Sequence, residues 1–294
     1  MPASVPELFD RALLRRRLAR AVRAGHESFL LDRATDELTE RLGAVSRSFP
    51  RALDLGTPTG TAAAALLRDD RVGQVVRLAS HRDGAATLVA DEERLPFAAE
   101  SFGLVVSLLA LQGANDLPGI LAQVRRSLAP DGLFLAAMLG GDTLAELRTS
   151  LAAAESEIEG GVSPRVAPFG DVRALGGLLQ RAGFALPVVD VDRIVVRYGS
   201  LFGLMRDLRA MGWTNALSLR RRTPLRRATL MRAAALYADS FADPDGRVRA
   251  TFDIVWLSGW APHESQQRPL APGSARTRLA DALGVPEHGP EGPR

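Results

Sequence analysis

The chain has 294 residues, 46% of them hydrophobic and 24% charged, with a mean hydropathy of +0.01, enough apolar material for the core of one large soluble globular domain or a domain plus a subdomain. Its pI of 10.3 accompanies a net charge of only +3 and no Lys at all, so every base is an Arg that stays protonated and the high pI says little about partners. The lack of Cys excludes disulfides, thiolate metal sites and cysteine nucleophiles, and no apolar run approaches the roughly 20 residues needed to cross a bilayer.

His26, His81, His263 and His288 lack metal-ligand spacing and read as surface or structural imidazoles, so no metal site is expected. The N-terminal region carries Arg11, Arg15, Arg16, Arg17, Arg20 and Arg23 among Leu and Ala, a pattern shared with transit peptides. Glu7 and Asp10 interleave, however, and the pattern runs on through Phe29, Leu30 and Leu31 without a cleavage-like break. Residues 1–48 are therefore expected to form a helical cap, one basic helix running on into Phe29-Leu30-Leu31, over a ligand cleft. Its arginines face solvent or an acidic partner.

From Arg51 the pattern alternates strand and helix. An apolar strand ends at Asp54-Leu55, turns through Gly56 and Gly60, and enters an alanine-rich helix over 59–68. Glycines there allow a tight turn and close approach to a ligand, although many α/β proteins need such a turn only to reverse the chain. Strands follow over 74–78 and 87–90, then a buried-type strand over 104–109 ending past Ser107, a helix over 116–128, a turn at Pro130-Asp131-Gly132 and another buried strand over 133–138. Such alternation implies a doubly wound, mostly parallel sheet with its ligand at the carboxyl ends of the strands.

In the second half, Thr143 and Glu146 have capping-box spacing for a helix that stops at Gly160-Gly161. Helices over 171–182, 201–210 and 225–241, the last with Pro224 at its first turn, accompany late strands over 188–197 and 248–257. Residues 49–143 form the expected nucleotide-binding core and 144–261 a helical insert plus the late strands. Residues 262–294 read as a disordered tail with a weak helix at 277–283.

Several blocks carry a specific likeness: Leu53-Asp54-Leu55-Gly56, Ala90-Asp91-Glu92-Glu93-Arg94-Leu95-Pro96-Phe97, Asn115-Asp116-Leu117-Pro118 and Gly140-Gly141-Asp142-Thr143-Leu144. In order and spacing they resemble the class I S-adenosylmethionine-dependent methyltransferases, with a Rossmann-like fold. The likeness is to the branch of the complex I assembly factor 5 arginine hydroxylases, near the biotin-pathway malonyl-acyl-carrier methyltransferases. It extends from Phe9-Asp10-Arg11 to Pro262-His263-Glu264-Ser265-Gln266. The resemblance implies S-adenosylmethionine as cofactor, with Asp54, Gly56 and Gly60 around its methionine part, Asp91 and Glu92 at its adenine, and Ser107 as a further contact. Asp91 reads alternatively as an N-cap or turn residue.

Departures from the pattern point to an eroded cofactor site. Pro58 replaces a loop glycine and removes an amide donor, and Ala79 stands where the family's sugar-binding acid should be. That loss removes two charge-assisted hydrogen bonds of about 1.5–3 kcal/mol each. Asp83 lies nearby in what reads as an exposed turn. Only eight residues separate Leu78 from Thr87, too few for an ordinary helical crossover, and Gln112-Gly113 replaces a His-Trp pair, leaving no catalytic residue to name.

Two functional readings follow. One is a methyltransferase, or the arginine-modifying assembly-factor variant, acting in the cytoplasm on a protein partner such as a respiratory complex subunit. The other is a non-catalytic assembly chaperone of the same fold, gripping an acidic partner through Arg220, Arg221 and Arg222. Nucleic acid fits poorly, because few aromatics interleave with the charges.

Overall fold

The computed structural model describes residues 7–266, so the expected helix at 277–283 and nearly all of the expected tail lie outside the described residues. The chain divides after Pro262, and all that follows concerns the unit before that division. Its elements in chain order begin α1 (Arg11–Arg23), α2 (Phe29–Gly43), β1 (Phe49–Leu55), α3 (Thr61–Leu66), β2 (Val72–Ala79), β3 (Leu88–Val89), β4 (Phe102–Leu108) and α4 (Leu117–Ser127). They continue β5 (Leu128–Gly140), α5 (Ala145–Glu159), α6 (Val172–Arg181), β6 (Ala185–Tyr198), α7 (Leu201–Ala210), α8 (Arg227–Phe241) and β7 (Val248–Trp260).

The described strands form one seven-stranded sheet in the order β3-β2-β1-β4-β5-β7-β6. β1 to β5 pair in parallel, while β7 runs antiparallel between β5 and β6. The central strand β4 explains the layering, because a strand covered on both faces must be apolar on both. Its Leu104, Val106 and Leu108 enter a core with α2, α5 and α7, while Val105 enters a second core with α4 and α6. Each fully buried leucine adds about 1.5–3 kcal/mol, and the sheet so fixed sends the carboxyl ends of β1, β2, β4 and β5 toward α1 and the insert.

Four local expectations are corrected. The N-terminal cap is two helices rather than one, because Gly25 at φ +90° ends α1 before α2 begins. The segment expected as a turn at Pro130-Asp131-Gly132 is an irregular stretch of β5, with Asp131 at φ +59° and its N–H donated to the Ala261 carbonyl at 3.2 Å. Thr143 and Glu146 do not box the start of α5, whose cap is Leu144 in a left-handed conformation. Instead the Thr143 hydroxyl donates to the Gly140 carbonyl at 2.7 Å and accepts the Asp253 N–H at 3.0 Å, while Glu146 accepts the Thr251 N–H at 3.2 Å. The neighbouring strand β7 thus claims both side chains. Pro224 precedes the first residue of α8 by three positions, outside its first turn.

The short link after β2 holds. Leu78 and Ala79 pair in parallel with Leu88 and Val89, and no helix lies between. A two-residue β3 needs so little length that a folded loop suffices. Thr87 ties its start, donating its N–H to the Arg77 carbonyl at 2.9 Å and accepting the Arg77 N–H at its hydroxyl at 3.1 Å.

Candidate functional site

The turn after β1 is built on Gly56. It sits at φ +74° and donates its N–H to the Leu78 carbonyl at 2.8 Å, closing β1 onto β2. A Cβ there would press on Glu92 Cγ at 3.0 Å and Ala110 Cβ at 3.2 Å, and the positive φ favours glycine in its own right. The turn is also sewn to β4: Ser107 donates its hydroxyl to the Leu55 carbonyl at 2.7 Å, and Thr57 Oγ1 accepts the Leu108 N–H at 3.2 Å.

Beneath the turn lies a buried charge cluster centred on Arg77 of β2. Its guanidinium donates to the carbonyls of Thr57 at 3.0 Å and Thr59 at 3.1 Å, pairs with Asp83 at 2.7 Å and lies 3.5 Å from Asp54. Burial pushes the Asp54 carboxyl up to about 7, against the opposing pull of Thr57 and the Arg77 charge. Asp83 is therefore no exposed turn residue, since its side chain is 3% exposed and committed to Arg77. The loop it anchors packs on Gly60, where a Cβ would stand 3.2 Å from Ala85 Cβ.

A second charge cluster closes the site from above. Arg11 of α1 pairs with Glu92 at 2.5 Å and Asp91 at 3.1 Å, and donates to the Gly113 carbonyl at 3.1 Å. Arg15 adds a 2.5 Å contact to Asp91. Burial alone would raise Asp91, but the Arg15 bond, the Glu93 N–H and the two arginine charges together bring it down to about 2. Burial opposes the charge on Arg11, yet Glu92, Glu93 and Asp91 leave its pKa raised. Glu93 accepts the Asn115 N–H at 2.6 Å, and Asn115 exchanges hydrogen bonds with the Phe9 backbone at 2.8 and 3.0 Å. Helix α1 is pinned in place as a roof, and Gly113 leaves room for the tip of Leu14, whose Cδ1 would lie 2.6 Å from a Cβ there.

Under that roof is a cavity of about 320 Å³. Its lining includes Gly56 and Pro58 of the turn, the polar side chains of Ser80, Glu92 and Gln112, and the apolar side chains of Leu144, Leu147, Leu151, Met205 and Trp213. Glu92 is the only carboxylate among the described lining residues. Gln112 donates to the Leu109 carbonyl at 2.7 Å and leaves its buried Oε1 without a partner.

Of the residues singled out from sequence, Gly56 and Glu92 reach the cavity, whereas Asp54, Gly60, Asp91 and Ser107 stand outside its lining. Sequence reasoning passed over Arg77, Ser80 and the α1 arginines as parts of the site. Arg77 had a legible signal, a charge inside the apolar run Val75-Val76-Arg77-Leu78, since a buried cation demands partners. Of the arginines expected to grip a partner, Arg220 pairs with Asp10 at 3.1 Å and Arg221 with Glu159, so both are engaged within the chain. Among the described residues no group of three or more His, Asp or Glu could hold a metal ion, and no helix is long and apolar enough to cross a membrane.

Residues 53–136, from the middle of β1 into β5, match the methyltransferase domain family. Over 286 residues the chain is 41% identical to the mitochondrial arginine-hydroxylase NDUFAF5 of Homo sapiens, covering 93% of this chain and 83% of that protein. The chain belongs to the class I methyltransferase family, in the NDUFAF5 branch. The zebrafish (Danio rerio) NDUFAF5 is 39% identical across 93% of this chain and 89% of its own length. The malonyl-[acyl-carrier protein] O-methyltransferase of Methylovorus sp. is 35% identical across 94% of this chain and 98% of its own. Among solved structures, the YcgJ protein of Bacillus subtilis shares the fold of this family member with a TM-score of 0.53 at 14% identity, covering 79% of this chain and 99% of that one.

Proposed function

We propose that this chain binds S-adenosylmethionine or its product beneath α1 and serves, in the cytoplasm, as an assembly factor that acts on a protein partner of the respiratory complex I type. The observation that supports this most is the cavity itself, whose lining includes both the glycine turn after β1 and the apolar insert residues of α5 and α7. A cofactor and a partner side chain can meet in such a chamber.

The residues present fit an adenosyl group with an altered grip. Gly56 lines the chamber, Leu109 and Ala110 offer apolar flanks, the orphaned Gln112 Oε1 calls for a donor, and Glu92 supplies the one carboxylate among the described lining residues. When bound, S-adenosylmethionine supplies a methyl group activated on a sulfonium. The chain's own contribution is positioning, which in-line transfer chiefly needs. The Arg11 pairs fix the α1 roof to the acids that follow β3.

The non-catalytic reading keeps its own support. Pro58 offers no amide, Ala79 buries a methyl at the end of β2, and the acids nearest the adenine position are already held by Arg11 and Arg15. Purified chain presented with complex I subunits and labelled S-adenosylmethionine separates the two. Co-purification with release of S-adenosylhomocysteine supports modification, and co-purification without turnover supports the chaperone. Failure both to capture a subunit and to retain the cofactor would contradict the assignment.

A further inference from the structure

The cavity needs an acceptor for whatever hydroxyls its ligand carries, and the acids around it can be taken one by one. Asp54 lies behind the turn, outside the cavity lining, 3.5 Å from Arg77. Asp83 is consumed by the same guanidinium at 2.7 Å. Asp91 accepts from Arg11, Arg15 and the Glu93 N–H, and Glu93 accepts the backbone N–H groups of Asn115 and Asp116. Glu92 differs from all of these. Arg11 holds its Oε2 at 2.5 Å, while its Oε1 projects toward Gly56, 3.4 Å from where a Cβ on that glycine would stand, and the residue lines the cavity beside Ser80. The carboxylate is thus oriented on one oxygen and presented on the other.

A cavity-facing carboxylate is an acceptor only, and the ligand groups that satisfy it are paired donors. A vicinal diol offers two O–H donors on adjacent carbons, one for the presented Oε1 and one for the lone pair that Arg11 leaves on Oε2. The end of β2, from which an acid could otherwise reach, offers the Ala79 methyl and then the Ser80 hydroxyl. We infer that Glu92 is the acceptor for the sugar diol of an adenosyl ligand, with Arg11 as the counter-ion that orients it and Ser80 beside it. This rests on the reading that the cavity takes an adenosyl group.

Calorimetric titration of the full chain with S-adenosylhomocysteine and with its 2′-deoxy analogue tests the assignment, using wild type and Glu92→Met. Methionine keeps the side-chain length and removes both oxygens, and Arg11 keeps Asp91 and Glu93 as partners. Wild type should bind the 2′-deoxy analogue at least tenfold more weakly than S-adenosylhomocysteine. Glu92→Met should bind S-adenosylhomocysteine at least tenfold more weakly than wild type does and should no longer tell the two ligands apart. Equal binding of both ligands by wild type overturns the inference whatever the variant does, so it does not depend on the variant folding. Discrimination retained in Glu92→Met also overturns it, as does a loss seen with S-adenosylmethionine and not with S-adenosylhomocysteine, which would assign Glu92 to the sulfonium charge. Those results leave the adenosyl reading standing, whereas no binding of S-adenosylhomocysteine by wild type at millimolar concentration removes both.

Discussion

Replacing Arg77 by Met tests the claim that a buried cation holds the glycine turn in shape. The guanidinium is 2% exposed and joins Asp54, Asp83 and the carbonyls of Thr57 and Thr59. Methionine fills most of the volume and supplies none of the donors. Breaking a buried pair while leaving the acids behind costs about 3–5 kcal/mol. At a urea slope of about 2–3 kcal/mol/M, that is a fall of roughly 1–2 M in the denaturation midpoint with the slope unchanged. The loss should also depend on pH. Asp54 titrates at about 7 in the folded chain against an ordinary 3.8, so between those values the native state holds the extra proton and stability falls as pH rises. Arg77 restrains that rise, so removing it extends the falling window above pH 7, at about 1.4 kcal/mol per pH unit. The variant's deficit should therefore be larger at pH 8 than at pH 5. A deficit below about 1 kcal/mol, or one equal at the two pH values, would refute the reasoning.

Three further outcomes follow. Gly56→Ala forces a left-handed alanine against Glu92 Cγ at 3.0 Å and should cost about 1–3 kcal/mol in thermal or urea unfolding while weakening any ligand that uses Glu92. Asp91, held at about 2 in the folded chain, contributes stability above its ordinary 3.8 that is lost as pH falls through that range. Because its side chain is 34% exposed, solvent screening limits the effect to about 1 kcal/mol, so acid unfolding of Asp91→Asn should lack a loss of that size seen in wild type between pH 4 and 2. Gly113→Val brings Cβ within 2.6 Å of the Leu14 Cδ1 tip, and the rotation this forces on Leu14 should change the fluorescence of Trp213 in the same cavity wall, with the sheet's far-ultraviolet dichroism retained.

The sheet was legible because its strands carry their burial in their composition. The run over 104–108 is apolar on both faces apart from Ser107, and both of its faces are covered by helices. Helix ends marked by glycine were legible too: Gly160 and Gly183 take the left-handed conformations their positions suggest. The illegible parts depend on partners distant in sequence. Thr143 has the spacing of a cap, yet bonds to Asp253, 110 residues away, because β7 passes beside it. Asp83 sits in a polar, glycine-containing context that reads as surface, and only Arg77 on the neighbouring strand makes its burial tolerable. The same holds for the roof. The α1 arginines read as a solvated face until Asp91 and Glu92 are brought beneath them, 80 and 81 residues on from Arg11.

A crystal structure of the chain grown with S-adenosylhomocysteine tests the central claim most directly. The adenosyl group should lie beneath α1 in the cavity that Gly56 and Glu92 line together, with its sugar hydroxyls on the Glu92 carboxylate and the homocysteine sulfur directed toward the leucines of α5 and Met205 of α7. A cavity left empty at saturating ligand, or a ligand bound elsewhere on the chain, would contradict it.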